Sequence, residues 1–224
     1  MKQNEIFKAR EGDAWYRRNA SYLTDVLRRE DDVPLQLIAR ARLSPKRILE
    51  VGASNGFRLS ELKRRYKATC IGLEPSKEAI AEGRRLFPRV RFVRGTADAL
   101  PFKDVSFDLV IVNFVLHWID RPDLLKTLSE IDRVLADGGR LLIGDFLPDK
   151  PGRFAYKHLP RNSIFTFTQD YAKILASSEL YRVVSRIVAD HATKRFARSI
   201  PPDRRIAYTL LRKNLLDAYE ERTL

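Results

Sequence analysis

The chain is predicted to fold as an α/β protein built on a doubly wound, mostly parallel sheet. Three observations predict it. Short apolar runs alternate with helical segments from residue 47 to residue 144. A glycine-bearing turn follows the first run, where a parallel strand would pass into a helix. An acid, Glu74, ends the second run, 22 residues after Gly52. Strand–helix alternation of this kind needs a parallel sheet with helices on both faces. The 224 residues suffice for one domain with a full hydrophobic core, and are too few for two.

The elements follow in order. The first forty residues read as helical, with Trp15, Tyr16, Tyr22, Leu23, Val26 and Leu27 roughly on one face. A break at Asp31-Asp32-Val33-Pro34 precedes a second helix at about 34–43, and Ser44-Pro45-Lys46 ends it. Arg47-Ile48-Leu49-Glu50-Val51 has the short, apolar look of a buried parallel strand. Then come a helix at about 57–66, a strand at 68–73, a helix at 76–87 capped by Ser76, and a strand at 90–93. A strand at 107–112 is followed by a helix at about 122–135, with Pro122 in its first turn and Gly138-Gly139 beyond its end, and by a strand at 140–144. A helix at about 169–177 is expected to be capped by Thr168. The β-rich runs 182–188 and 205–211 have no helix between them and are expected to pair antiparallel at one edge, which brings the sheet to seven strands. No domain boundary is visible. The chain reads as one domain over 1–224: a helical cap (1–45), a core (46–148), and a lid with edge strands (149–224).

Lys plus Arg is 42 against 29 for Asp plus Glu, a net charge of +13. Such an excess suggests an anionic partner without choosing one. By region, residues 1–46 and 47–150 carry +3 each, and 151–224 carry +7. Half the excess therefore lies in the tail, where Arg153, Lys157, Arg161, Lys194, Arg195 and Arg198 face either an anionic acceptor or water. A single cysteine excludes an intrachain disulfide, and its place in a predicted strand makes Cys70 a buried, inert thiol. No apolar run approaches the roughly 18 residues of a membrane span, and no signal peptide is evident, so a cytoplasmic location is expected. No His/Cys/Asp cluster has metal-ligand spacing, so no metal site is expected.

The turn Glu50-Val51-Gly52-Ala53-Ser54-Asn55-Gly56 carries the functional signal. Small residues let a ligand approach the backbone, and the helix behind it offers free N–H groups. Glu74 stands where a carboxylate can accept both hydroxyls of a ribose. The glycine spacing is Gly-x-x-x-Gly, not the Gly-x-Gly-x-x-Gly of dinucleotide sites, which excludes a nicotinamide dehydrogenase. Glu50, two residues before the first glycine, would repel a pyrophosphate and attract an ammonium. A ligand with a ribose and a cationic amino-acid end fits, and S-adenosylmethionine (SAM) is one.

With these residues the chain resembles the class I SAM-dependent methyltransferases of the small methyltransferase-11 type. The resemblance covers roughly 46–148. It rests on Leu49–Gly56, Gly72-Leu73-Glu74-Pro75-Ser76, Gly95-Thr96-Ala97-Asp98-Ala99-Leu100-Pro101-Phe102, Ser106–Val110, Leu116-His117-Trp118 and Arg133–Gly139. It implies the Rossmann-like methyltransferase fold and SAM as cofactor. It also implies that Glu50, Gly52, Ala53, Ser54 and Gly56 hold the methionine end and Glu74-Pro75 the ribose side. Thr96, Ala97 and Asp98 would then lie at the adenine, and Asn113 and Phe114 beside the methionyl portion. Two positions depart from the pattern: Ser54 replaces the usual middle glycine, and Thr96 replaces a commonly acidic residue. Residues 11–19 resemble the start of small methyltransferases of glycan and specialised-metabolite pathways. That likeness implies a first helix folded over the cofactor, with Tyr16 or Asn19 near SAM, unless Trp15 and Tyr16 are core contacts.

Methyl transfer from SAM is an in-line displacement, so the protein aligns the nucleophile and excludes water. An oxygen nucleophile needs a base, and a histidine suits the pH. His117, just after the fourth strand, is the candidate catalytic base, with a pocket-wall role as the alternative, and His158 and His191 are further candidates. Trp118, Phe146, Tyr156, Phe165 and His158 are candidate substrate contacts. Asn113-Phe114-Val115-Leu116 lacks the Asn-Pro-Pro-Tyr motif of common amino-methylating nucleic-acid enzymes. The expected function is methyl transfer to a small-molecule acceptor, a hydroxyl of a sugar or specialised metabolite. The alternatives are an RNA methyltransferase using the basic tail and a SAM-binding partner protein without catalysis.

Overall fold

In a computed structural model, residues 2–29, 32–159, 164–193, 199–216 and 219 are described. Arg161, Lys194, Arg195 and Arg198 lie outside them, as do the side chains of Tyr22, Val26 and Leu27. The strands are β1 (Arg47–Val51), β2 (Thr69–Glu74), β3 (Arg91–Arg94), β4 (Phe107–Asn113), β5 (Leu135–Phe146), β8 (Tyr181–Asp190) and β9 (Arg205–Lys213). They form one seven-stranded sheet in the order β3-β2-β1-β4-β5-β9-β8. β1 to β5 are parallel, and β9 and β8 are antiparallel. The tail runs therefore pair as expected, with β9 against β5 and β8 at the edge.

Alternation along the strands explains the two cores. Leu49, Val51, Val110, Val112, Leu141 and Ile143 point to one face, against Leu128 and Ile131 of α6 (Leu124–Val134) and Tyr171 and Leu175 of α7 (Tyr171–Ala176). Ile48, Cys70, Leu109, Ile111 and Leu142 point to the other. There they meet α3 (Val33–Arg40), α4 (Phe57–Tyr66) and α5 (Lys77–Leu86) through Ile38, Leu59, Leu62 and Ile80. Burial on both faces is why these strands read as near-continuous apolar runs. Each fully buried aliphatic side chain contributes about 1.5–3 kcal/mol. Cys70 lies in this second core, where burial pushes its thiol up to about 11.

As expected, the N-terminal segment is helical before the break, running through α1 (Gln3–Ile6), a π-helical turn (Phe7–Glu11) and α2 (Gly12–Arg29). Three features differ from the sequence expectation. β5 begins at Leu135, before the two glycines, because its register shifts against β4 between Phe107 and Leu109. The helix expected at 169–177 is α7, and its cap is Asp170, whose carboxylate accepts from Lys173 N at 3.1 Å, not Thr168. Thr168 instead ends a small hairpin of β6 (Gly152–Ala155) and β7 (Phe165–Thr168) that no short-range signal announced. Among the described residues no helix is long and apolar enough to cross a membrane.

The basic tail is partly neutralised within the fold. Arg186 pairs with Asp170 at 2.8 Å, Arg204 with Asp190 at 2.6 Å, Lys213 with Asp132 at 2.9 Å, and Arg205 with Asp149. Arg153 lies 4.6 Å over the Phe165 ring, and Lys157 is exposed.

Candidate active site

The carboxyl ends of β1, β2 and β4 meet at the glycine turn, where Gly52 N and Ala53 N donate to Leu73 O at 2.8 Å and 3.1 Å. Gly52 and Gly56 have φ of +72° and +76°, a conformation that costs glycine nothing. A Cβ at Gly52 would stand 2.4 Å from Val115 Cγ2, and one at Gly56 2.4 Å from Phe92 Cζ. Ser54, the departure from the family's glycine, also takes a left-handed φ of +51°. The serine thus keeps the backbone path of a glycine, at a strain of order 1 kcal/mol. Its amide donates to Glu74 Oε2 at 2.8 Å, and Ser76 N donates to Glu74 Oε1 at 2.9 Å. Glu74 is 8% exposed, and burial pushes its carboxyl up to about 7, against the pull of those two amides.

Glu50 shares a face of β1 with Ile48 and is 1% exposed. Its Oε1 accepts from Arg58, and its Oε2 has no partner. Burial pushes its carboxyl up to about 7, with Arg58 pulling the other way. Arg58 is also held by Asp32, at 2.9 Å from Nε to Oδ1 and 2.7 Å from NH2 to Oδ2.

Three more buried polar atoms without partners lie in the segments that the sequence singled out: Ser54 Oγ, Asp98 Oδ1 and Asn113 Oδ1. Asp98 Oδ2 accepts from Asn4 at 2.8 Å. Phe114 follows Asn113 with φ +54°, a strained value for a bulky residue that turns the chain sharply out of β4. Ala97 is buried in the α6-side core, Thr96 is half-buried, and the Pro75 carbonyl accepts from Arg94 Nε at 3.1 Å.

Beyond Phe114, Leu116–Trp118 forms a 3₁₀ turn that carries His117, which is 4% exposed. Asp145, on β5, lies 3.0 Å from His117 Nδ1 through Oδ1 and accepts from His117 N at 3.2 Å through Oδ2. An Asp against Nδ1 places the ring's proton there and leaves Nε2 as the basic nitrogen. Aromatic rings surround the pair: Trp118 at 4.6 Å, Phe146 at 5.1 Å and Phe114 at 6.1 Å from His117. The His191 ring lies 5.1 Å from Phe146 and 5.8 Å from Phe114.

The N-terminal helix crosses this region. Gln3 Nε2 donates to Trp118 O at 2.7 Å and Phe165 O at 2.8 Å, and its Oε1 accepts from Phe165 N at 3.1 Å. Glu11 accepts from the Tyr156 hydroxyl at 2.6 Å and from Arg18. Tyr156 is buried against Trp118, ring to ring at 4.7 Å, and burial raises its hydroxyl pKa. Asp13 accepts from the Ser76 hydroxyl at 2.6 Å. The N-terminal helical segment thus contacts the segments after β4, β3 and β2 through Gln3, Asn4 and Asp13, and holds Tyr156 through Glu11. Tyr16 packs with Leu23, Phe57 and Ala79, its hydroxyl pushed up to about 12 by burial and shared with Glu82 and Asn55. Asn19 spends its amide on Trp15 O at 2.8 Å. His158 is exposed, with its ring 5.3 Å from that of Tyr156.

Residues 49–143 match the family described as "Methyltransferase domain". That stretch is similar in sequence to the methyltransferase domains of SAM-dependent enzymes. A malonyl-(acyl-carrier protein) O-methyltransferase of Halorhodospira halophila is 36% identical to this chain over 129 residues, 55% of this chain and 43% of the relative. The uncharacterized methyltransferase YcgJ of Bacillus subtilis is 30% identical over 144 residues, 61% of this chain and 56% of the relative. The chain thus spans about half the length of these curated relatives. Among solved structures, the 1,6-didemethyltoxoflavin-N1-methyltransferase of Burkholderia thailandensis, with its acceptor and S-adenosylhomocysteine (SAH) bound, superimposes with a TM-score of 0.70 at 14% identity, covering 94% of this chain and 88% of that one. That likeness shares the fold across the edge strands as well as the methyltransferase core.

Sequence reading missed Arg58, Asp32, Asp145, Gln3, Asn4 and Glu11. Asp145 carried a weak signal, an acid at the end of a predicted apolar strand. Asp32 read only as part of a break and Glu11 only as part of the 11–19 stretch, while Arg58, Gln3 and Asn4 carried no signal.

Proposed function

We propose that this protein transfers a methyl group from SAM to a hydroxyl of a small-molecule acceptor, a sugar or specialised metabolite, with His117 as the general base. The observation that carries the reading is the set of unpartnered buried atoms at the sheet's carboxyl end, beside a His–Asp pair. A buried polar atom without a partner costs about 1–3 kcal/mol, so four of them in β1, in β4 and in the segments that follow β1 and β3 call for a ligand that satisfies them. SAM fits the donor set: Glu50 Oε2 suits its ammonium, Glu74 its ribose hydroxyls, and Asp98 Oδ1 its adenine amino group. Bound there, it would supply a methyl group already activated on a sulfonium. The chain's own residues do the rest. His117 takes the proton from the acceptor oxygen, and Asp145 keeps its ring oriented and stabilises the charge that develops. Trp118, Phe146 and Tyr156 offer flat apolar surfaces against which a ring can lie while water is kept out. Two relatives, a malonyl-(acyl-carrier protein) O-methyltransferase and a demethylmenaquinone methyltransferase of Thermus thermophilus, support small acceptor groups over nucleic acid.

Incubation with SAM and a panel of hydroxylated acceptors, followed by mass analysis, tests the reading. A product heavier by one methyl group is expected. Asp145→Asn should lower kcat roughly 100-fold or more with KM little changed, as for loss of general-base assistance. An unaltered rate in both Asp145→Asn and His117→Ala would make His117 a wall residue.

A further inference from the structure

The geometry points to Arg58 as a positioning residue: it favours the ionised form of Glu50 and reserves that side chain's second oxygen for the cofactor's ammonium group. The inference rests on the SAM reading above. Arg58 sits in the first turn of α4, 6% exposed, with each arm of its guanidinium engaged. NH1 takes Glu50 Oε1, while Nε and NH2 grip Asp32 in a two-pronged pair. Asp32 is fixed in turn because Oδ1 caps α3 through Leu35 N at 2.9 Å. The fork cannot rotate without breaking one of these contacts, so Glu50 Oε1 stays occupied and Oε2 stays open.

The charges give the arrangement its direction. Two buried carboxylates against one guanidinium leave an excess of one negative charge where water is excluded. An isolated buried charge is strongly unfavourable, and a monocation on Oε2 balances it. The groups that face Glu50 are Arg58 from α4, Asp32 from the start of α3 and Glu74 from β2, and Tyr208 of β9 faces Arg58. Only Arg58 among them favours the ionised form of Glu50. Burial already holds that carboxyl up at about 7 with Arg58 in place. Without the guanidinium it would rise further and present a neutral acid to the ammonium at physiological pH. A lysine offers a point charge in place of the fork, so it would restore the charge and only part of the geometry.

Calorimetry of the full chain with two probes tests the assignment. SAH carries the amino-acid end, and 5′-methylthioadenosine carries the same nucleoside without it. Arg58→Met is expected to weaken SAH at pH 7 by tenfold or more and leave 5′-methylthioadenosine within twofold. SAH affinity should return as the pH is raised to 9, and Arg58→Lys should recover part of it at pH 7. Equal weakening of both probes would show Arg58 to be a structural prop and overturn the proposal, as would an unchanged SAH affinity and pH profile. If Arg58→Met does not fold, Asp32→Asn keeps the cap on α3 and removes the excess charge. It should weaken SAH severalfold and spare 5′-methylthioadenosine, and an unchanged SAH affinity would overturn the charge argument. Binding of neither probe by the unmodified chain would instead refute the cofactor reading itself, and this proposal with it.

Discussion

Replacing Glu74 with glutamine should separate stability from binding. Both carboxylate oxygens accept buried backbone amides, Ser54 N at 2.8 Å and Ser76 N at 2.9 Å. Glutamine has the same shape but only one acceptor oxygen, so its NH2 must face one of those amides. Leaving a buried donor unsatisfied costs about 1–3 kcal/mol. Against this stands the cost of a buried charge. Burial lifts the Glu74 carboxyl from 4.5 to about 7. At about 1.4 kcal/mol per pH unit, keeping it ionised costs roughly 3 kcal/mol once the pH exceeds that value. Glutamine escapes this cost. The two terms nearly cancel, and the ligand-free variant should melt within a few degrees of the parent at pH 8, since 1 kcal/mol is worth about 2–4 °C at this size. Binding should not be spared. A hydroxyl bond to a charged acceptor is worth about 1.5–3 kcal/mol, so SAH affinity should fall roughly 10- to 150-fold. Thermal melting of the free protein and calorimetry with SAH, both at pH 8, measure the two effects. An SAH affinity within threefold of the parent would refute the ribose role. A drop of more than about 10 °C in the free variant would refute the reasoning from burial.

Two further outcomes are expected. Glu50 and Glu74 both titrate near 7 in the fold and near 4.5 when unfolded. A folded value above the unfolded one means stability that is full below about pH 4.5 and is lost as the pH rises through about 7. The free protein should therefore lose stability from pH 5 to 8, while the stabilisation added by SAH should grow over the same range as both acids ionise. The acid Glu61, held down at about 2 by Arg64 and Arg65, changes stability only below this window. Parallel slopes with and without SAH would contradict the assignment of the two acids to the ligand. Gly83→Ala is expected to destabilise the fold by about 1–3 kcal/mol despite alanine's better helix propensity. Its Cβ would stand 2.5 Å from the backbone oxygen of Asn55 and 2.5 Å from Phe92 Cζ, so α5 must move off the glycine turn. Denaturant unfolding checks it, and an unchanged or raised midpoint would show that the turn yields freely.

Most of the core was legible because its signals are local. Period-2 and period-3.6 patterns place β1, β2, β4, α4, α5 and α6 within a few residues of their observed ends. The glycine turn and Glu74 were legible for the same reason, since a strand, a sharp turn and an acid at the next strand's end are read from short spacings. The β6–β7 hairpin escaped because its strands are four residues each, too short for a period-2 pattern to stand out. Asp170 replaced Thr168 as the cap because the helix begins two residues later than its periodicity suggested.

By itself the sequence determined the fold class, the strand–turn–helix that carries Glu50 and the acid opposite it, because each depends on residues near one another along the chain. Only the tertiary structure decided the partners. Asp145 meets His117 across 28 residues, Arg58 joins Asp32 to Glu50 across the face of β1, and Gln3 reaches Phe165 across 162. A lone polar residue reads as solvent-facing until the chain folds back on it. Which buried charges find a counterpart, and which atoms are left open for a ligand, depends on contacts between segments that no spacing along the sequence records.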